Sequence, residues 1–251
     1  MVVLHKTYHL LLQRHKIKQK KGNKMYKNIE VLDKKKHNGI KFDEISFEVG
    51  AKNIGVVPVG VDEILDMSCF APVFISAGDN KEFVAFTGIS KEVNIYNNNT
   101  AYIANFVKTY PFFNIIIKDT DENLNTVIAI DTNDEYVGKN KKNTILNQKA
   151  ELEELANQKI EQVRALNNKR EISRIIVKEL EKKDLLVKKD FRVNINGDEK
   201  IILEEFYVIN RDELLKLDDA TLALWAKKGW MSVIDAHTKS LNNFQKIFQT
   251  K

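Results

Sequence analysis

Residues 204–248, EEFYVINRDELLKLDDATLALWAKKGWMSVIDAHTKSLNNFQKIF, decide the fold class. Phe206-Tyr207-Val208-Ile209 is aromatic and β-branched, the composition of a strand. Helical signals follow at once. Asn210 with Glu213 three residues later has the spacing of a capping box and predicts a helix over 211–217. Asp218 caps a second helix with Leu222, Leu224 and Trp225 on its apolar surface, and Gly229 stands where a left-handed C′ residue is wanted. A third helix is expected over 230–248. It places Val233, Ile234, His237, Leu241, Phe244 and Phe248 on one face at three- and four-residue spacing.

Working outward from there, Asn196-Gly197 separates two strand-like runs, 191–195 and 200–203, and marks a hairpin because both residues tolerate positive φ. Residues 143–186 carry a helical stripe of Leu152, Leu155, Ile160, Val163 and Leu166. The stripe breaks at Asn167-Asn168 and resumes with Ile172, Ile175, Ile176 and Leu180, so two consecutive helices packed on a sheet are expected. Residues 39–137 instead hold short β-type runs at 40–42, 54–57, 73–75, 83–86, 93–96, 115–117 and 127–130, with short helices near 61–67 and 101–108. Regular βαβ alternation is missing, so the class is α+β: a strand-rich N-terminal half, central helices, a β-hairpin and a C-terminal three-helix module. The expected organisation is a basic leader, residues 1–24, and one α+β domain, residues 25–251. That domain is β-rich over 39–137, helical over 143–186, and hairpin plus helices over 190–248.

The 251 residues are 43% hydrophobic and 30% charged, a globular composition. No apolar run approaches the ~20 residues that span a bilayer, so no integral membrane segment is expected. The net charge of +5 is unevenly spread. Residues 1–24 hold seven Lys or Arg and no acid; taking these from the total of 40 leaves 33 against 35 Asp and Glu, so the rest is about −2. The basicity belongs to the leader, and nucleic-acid binding through the body is not expected. The leader has a short Leu10-Leu11-Leu12 patch flanked by charge on both sides and no small-residue cleavage site, unlike a secretory signal. Lys20-Lys21-Gly22 would be encoded by a purine-rich stretch just upstream of Met25, so Met25 is the expected native start. Without a secretory signal, the expected compartment is the cytoplasm.

Candidate chemistry is sparse. Cys69, the single cysteine, lies in Met67-Ser68-Cys69-Phe70 and is expected to be a buried, inert thiol. Asp235, His237 and Ser240 fall in one window, but on a helix 237 and 240 share a face while 235 points roughly 160° away. A catalytic triad is therefore not expected, and His237 should hydrogen-bond Ser240 or a backbone carbonyl. Asp119, Asp121 and Glu122, then Asp131, Asp134 and Glu135, form two acidic turns lacking the glycine and distal Glu of a calcium loop, and solvated turns are expected. No cofactor or metal site is expected. Trp225 and Trp230 flank Lys227-Lys228-Gly229 and are expected to pack around the Gly229 turn rather than form a binding platform.

Two blocks resemble a known family. FYVINRDELLKLDDATLALWAKKGWMSVIDAHTKSLNNFQKI is similar to the C-terminal signature of the SapC family of bacterial surface-layer-associated proteins, with Gly229 as the turn and Ala236, His237, Ser240, Leu241 and Asn243 as its core. AYIANFVKTYPFFNI resembles the family's Tyr-Ile-Pro-x-x-Ile-Arg-Arg-Tyr-Pro-Phe, placing Tyr102, Ile103, Tyr110, Pro111 and Phe112 in register, with Asp131 where the family has Ile-Asp. Val57-Pro58-Val59 and Ala71-Pro72-Val73-Phe74 match less closely. Ala104 replaces the family's Pro, and Lys108-Thr109 replaces its paired Arg.

The resemblance implies a part in the paracrystalline coat of Campylobacter-like bacteria and in serum resistance, whether by building, exporting or belonging to the coat. On it the expected function is a non-enzymatic surface-layer-associated protein acting through contacts with other surface-layer or export proteins or with itself, with a place in the surface layer. Candidate binding residues are Tyr102, Tyr110, Pro111, Phe112, His237 and Ser240; Gly229, Trp225, Trp230 and Asn243 are structural. A different class of function is a cytoplasmic small-molecule-binding or enzyme-accessory protein. That alternative needs a pocket between Tyr110-Pro111-Phe112 and the His237–Ser240 face. A third, nucleic-acid binding through the leader, would be abolished by truncation to Met25.

Overall fold

The computed structural model describes residues 28–45, 54–90, 93–97, 102–118, 124–132, 135–195 and 198–249. The leader, the Asp119, Asp121, Glu122 and Asp134 acidic positions and the Asn196-Gly197 turn lie outside the described residues.

The principal sheet is antiparallel. Its order is β10-β11-β4-β5-β3, built from β3 (Val56–Pro58), β4 (Val73–Ile75), β5 (Phe83–Phe86), β10 (Leu186–Ile195) and β11 (Asp198–Ile209). Every residue of β4 and β5 is buried, so both faces of this sheet are covered and its centre reads as unbroken apolar runs rather than alternation. A second sheet, β1-β7-β6, contains β1 (Ile29–Val31), β6 (Phe112–Lys118) and β7 (Leu124–Asp131). A third is small, β8-β2-β9, with β2 (Lys41–Phe42), β8 (Val137–Gly138) and β9 (Asn143–Thr144). Short helices α1 (Ile64–Ser68) and α2 (Asn105–Lys108) link the strands; α3 (Glu154–Lys182) lies against β5 and β6. The chain ends in α4 (Arg211–Leu214), α5 (Asp219–Lys227), α6 (Trp230–Ser240) and α7 (Asn243–Gln249). The architecture is α+β, as the sequence indicates.

Several expectations are corrected. Residues 154–182 form one helix of 29 residues, not two. The break at Asn167-Asn168 is absent because the buried stripe continues through polar side chains, with Arg170 and Ser173 following Leu166 at four- and three-residue steps. Ile172 and Ile175, assigned to the stripe, face solvent. The last helix is interrupted after Ser240, so the terminal module has four helices. Asn243 causes the turn: its Nδ2 donates to the carbonyls of Ser68 (2.7 Å) and Ala71 (3.4 Å). This swings Phe244 onto Phe191, 4.2 Å between ring centroids. Residues 93–96 are not a strand. Asn94 Oδ1 accepts from the Tyr96 N–H and folds the chain into a 3-10 turn over Ile95–Asn97.

Cys69 is exposed rather than buried. It follows Met67 by two residues, about 200° around the axis of α1, and Met67 is the side chain that enters the core. Asp131 is fully buried, not part of a solvated turn. Leu224, expected on the apolar face of α5, is exposed, while Trp225 is buried.

The expected caps are present in part. Asn210 accepts from the N–H groups of Asp212 and Glu213, but Glu213 pairs with Lys216 instead of closing a reciprocal box. Asp218 accepts from the Thr221 N–H at 2.8 Å. Gly229 has φ 74°, the left-handed residue that α5 requires.

Candidate functional site

The Ala236–Asn243 core is assembled around a gap in the principal sheet. β4 and β11 share one registered pair, Tyr207↔Ile75, and continuing that register would set Ile209 opposite Val73. His237 of α6 occupies that position between the strands. The Ile209 N–H donates to Nε2 (3.1 Å), so the proton sits on Nδ1, which donates to the Val73 carbonyl at 2.7 Å. The imidazole thus replaces a direct ladder bond with two bonds through its ring. Ser240 completes the arrangement: its Oγ accepts from the Val73 N–H at 2.8 Å and donates to the His237 carbonyl at 2.6 Å. Burial pushes the imidazole pKa down to about 4, only partly offset by the Val73 carbonyl.

Asp235 faces away from this pair and lies 3.7 Å from Arg211. Asp235, His237 and Ser240 therefore do not converge. Trp225 and Trp230 stand 5.7 Å apart at the Gly229 turn.

The other candidate group sits elsewhere. Phe112 begins β6 in the second sheet and meets Phe42 edge-on, 5.4 Å between ring centroids. The Tyr110 hydroxyl donates to Asp131 Oδ2 (3.0 Å), while Asp131 Oδ1 accepts from the Asn28 N–H (3.1 Å). Burial and the neighbouring carboxylate raise the Tyr110 pKa well above its ordinary value. Tyr110, Pro111 and Phe112 are all buried. The pocket that the small-molecule-binding alternative needs between them and His237–Ser240 is therefore not formed: each group is packed into core of a different sheet. Tyr102 alone is partly exposed. Its hydroxyl is 3.4 Å from Glu63 Oε2, and Lys108 Nζ lies 4.5 Å from its ring centroid. Burial and the Glu63 carboxylate push its pKa up to about 12.

A cleft of about 550 Å³ opens beside Tyr102, between α2, α3 and the loops carrying Glu44, Ile45 and Asp62. Asn105, Val107, Lys108 and Thr109 of the family-like segment form one wall; Lys159, Leu166 and Lys169 of α3 form the other. At its base Lys159, 7% exposed, donates to the Lys108 carbonyl (2.7 Å) and pairs with Glu44 (3.1 Å). Behind the wall, Glu63 accepts from the N–H groups of Asn105 (2.8 Å) and Gly60 (3.0 Å), and burial raises its pKa above the ordinary carboxyl range.

Sequence reading missed these charged groups, and also Glu82. That carboxylate receives two bonds from Arg170, at 2.9 and 2.8 Å, and a third from Arg174 at 3.1 Å. Burial works against its charge, but the two guanidiniums outweigh burial and hold the carboxyl below its usual range. The usable signal was periodic: Lys159, Arg170 and Ser173 occupy positions of the apolar stripe.

The sequence profile of the SapC family matches residues 32–247. Neither a curated protein nor a solved structure matches the chain significantly.

Proposed function

We propose, because the chain belongs to the SapC family, that it acts as a surface-layer-associated protein. It works without catalysis, through contacts with other coat or export proteins or with itself, in coat formation, export or serum resistance. The observation that carries the non-catalytic part is the commitment of His237 and Ser240 to backbone partners. Both ring nitrogens are occupied by Ile209 and Val73, and the Ser240 hydroxyl accepts from one backbone N–H and donates to a carbonyl. A base without a free nitrogen and a nucleophile without access serve to join a helix to two strands. Among the described residues no helix is long and apolar enough to cross a membrane, which accords with attachment through protein contacts.

Deleting the gene in the source bacterium and imaging the envelope tests the role. A patchy or missing coat, or coat protein retained inside the cell, is the expected result. An unchanged coat with normal export would refute it. Fractionation into cytosol and surface extract then separates an assembly or export accessory from a coat component.

A further inference from the structure

We propose that the cleft between α2 and α3 binds a small organic monoanion, a carboxylate with an apolar body. Its volume, about 550 Å³, lies in the range of small-molecule sites. The lining combines cationic and apolar side chains on both walls. The Lys159 ammonium donates one hydrogen bond, to the Lys108 carbonyl, and forms an ion pair with Glu44; it makes no other side-chain hydrogen bond among the described residues. The half-buried Lys169 side chain makes no hydrogen bond or ion pair among the described residues. Lys108 reaches over Tyr102 from the opposite wall.

Against these three cations stand two lining carboxylates, Glu44 and Asp62, which leaves an excess of one positive charge. One negative charge satisfies that excess, whereas a polyanion would be set against both carboxylates. Ile45, Ile103, Val107 and Leu166 give the remainder of the ligand an apolar surface. Gly60 lets the Asp62 loop close on α3, since a Cβ there would lie 2.8 Å from both Asp62 Oδ1 and Lys169 Cβ. The site stands apart from the His237 arrangement and does not depend on the coat role.

Titration of the full chain with phenylacetate, phenylacetamide and inorganic phosphate, followed by calorimetry, tests the assignment. Phenylacetate should bind with a Kd of about 1 mM or below, the range for a ligand of about ten heavy atoms. It should bind at least about tenfold more tightly than the uncharged amide, and more tightly than phosphate. Lys169→Glu should weaken phenylacetate about tenfold while leaving the unfolding midpoint in place, because that side chain holds no structural partner. Lys159→Met should abolish binding if the variant folds; the Lys169 variant decides the matter if it does not. Equal affinity for acid and amide, tighter binding of phosphate, or an unchanged affinity in Lys169→Glu would overturn the proposal.

Discussion

The imidazole between β4 and β11 makes stability depend on pH in a calculable way. His237 stays neutral in the fold down to about pH 4, whereas the same side chain in the unfolded chain takes a proton near its ordinary 6.5. A depressed folded pKa on a base means that the unfolded state binds more protons as the pH falls. The stabilisation is complete above about 6.5 and is lost progressively toward 4. Geometry agrees, because a proton on Nε2 would set N–H against the N–H of Ile209. Between pH 7 and pH 5 this one residue should remove about 2 kcal/mol of stability. His237→Gln keeps an acceptor for Ile209 and loses the Nδ1–H donor to the Val73 carbonyl. The substitution should cost about 1–3 kcal/mol at pH 7.5. Urea unfolding of both proteins at pH 7 and pH 5 measures the two quantities together. The wild-type chain should lose about 2 kcal/mol more than the variant over that interval. Parallel losses would refute the neutral, backbone-committed imidazole.

Glu82→Gln should destabilise the chain by about 3 kcal/mol in urea unfolding, because two guanidiniums would be left around a neutral group; no measurable change would show the triad to be dispensable. Gly229→Ala should cost about 1 kcal/mol and Gly229→Asn less, since an added Cβ meets nothing within 4 Å and the penalty is purely that of the left-handed backbone. Cys69 should react with a thiol reagent in the native protein within about tenfold of the rate of the unfolded chain; protection beyond that would return it to the core.

What the sequence disclosed follows the range over which its signals act. β4 and β5 were legible to the residue because VFI and FVAF are wholly apolar, and the caps at Asn210 and Asp218 because a cap bonds within three residues. The continuity of α3 was hidden by Lys159, Arg170 and Ser173, polar residues at core positions whose partners lie outside the helix. His237 was legible as a histidine bonded to backbone. Its partner Val73, 164 residues earlier in the chain, was not, nor was its role in completing a sheet. The cleft was invisible because Lys108, Lys159 and the loop bearing Glu44 become neighbours only through tertiary packing.

The β10–β11 hairpin outgrows the sheet that anchors it. Leu203 is its last fully buried residue toward the outer end, and the pairs from Arg192↔Ile201 to Ile195↔Asp198 have no third strand beside them. The outer rungs are accordingly a lever with its fulcrum at the stacked rings of Phe191 and Phe244. A partner gripping the outer rungs would strain the segment ending at Ile209, where the protein has inserted a side chain in place of a ladder bond. Load taken up at the molecule's margin is thereby carried toward the rung where an imidazole joins the two strands.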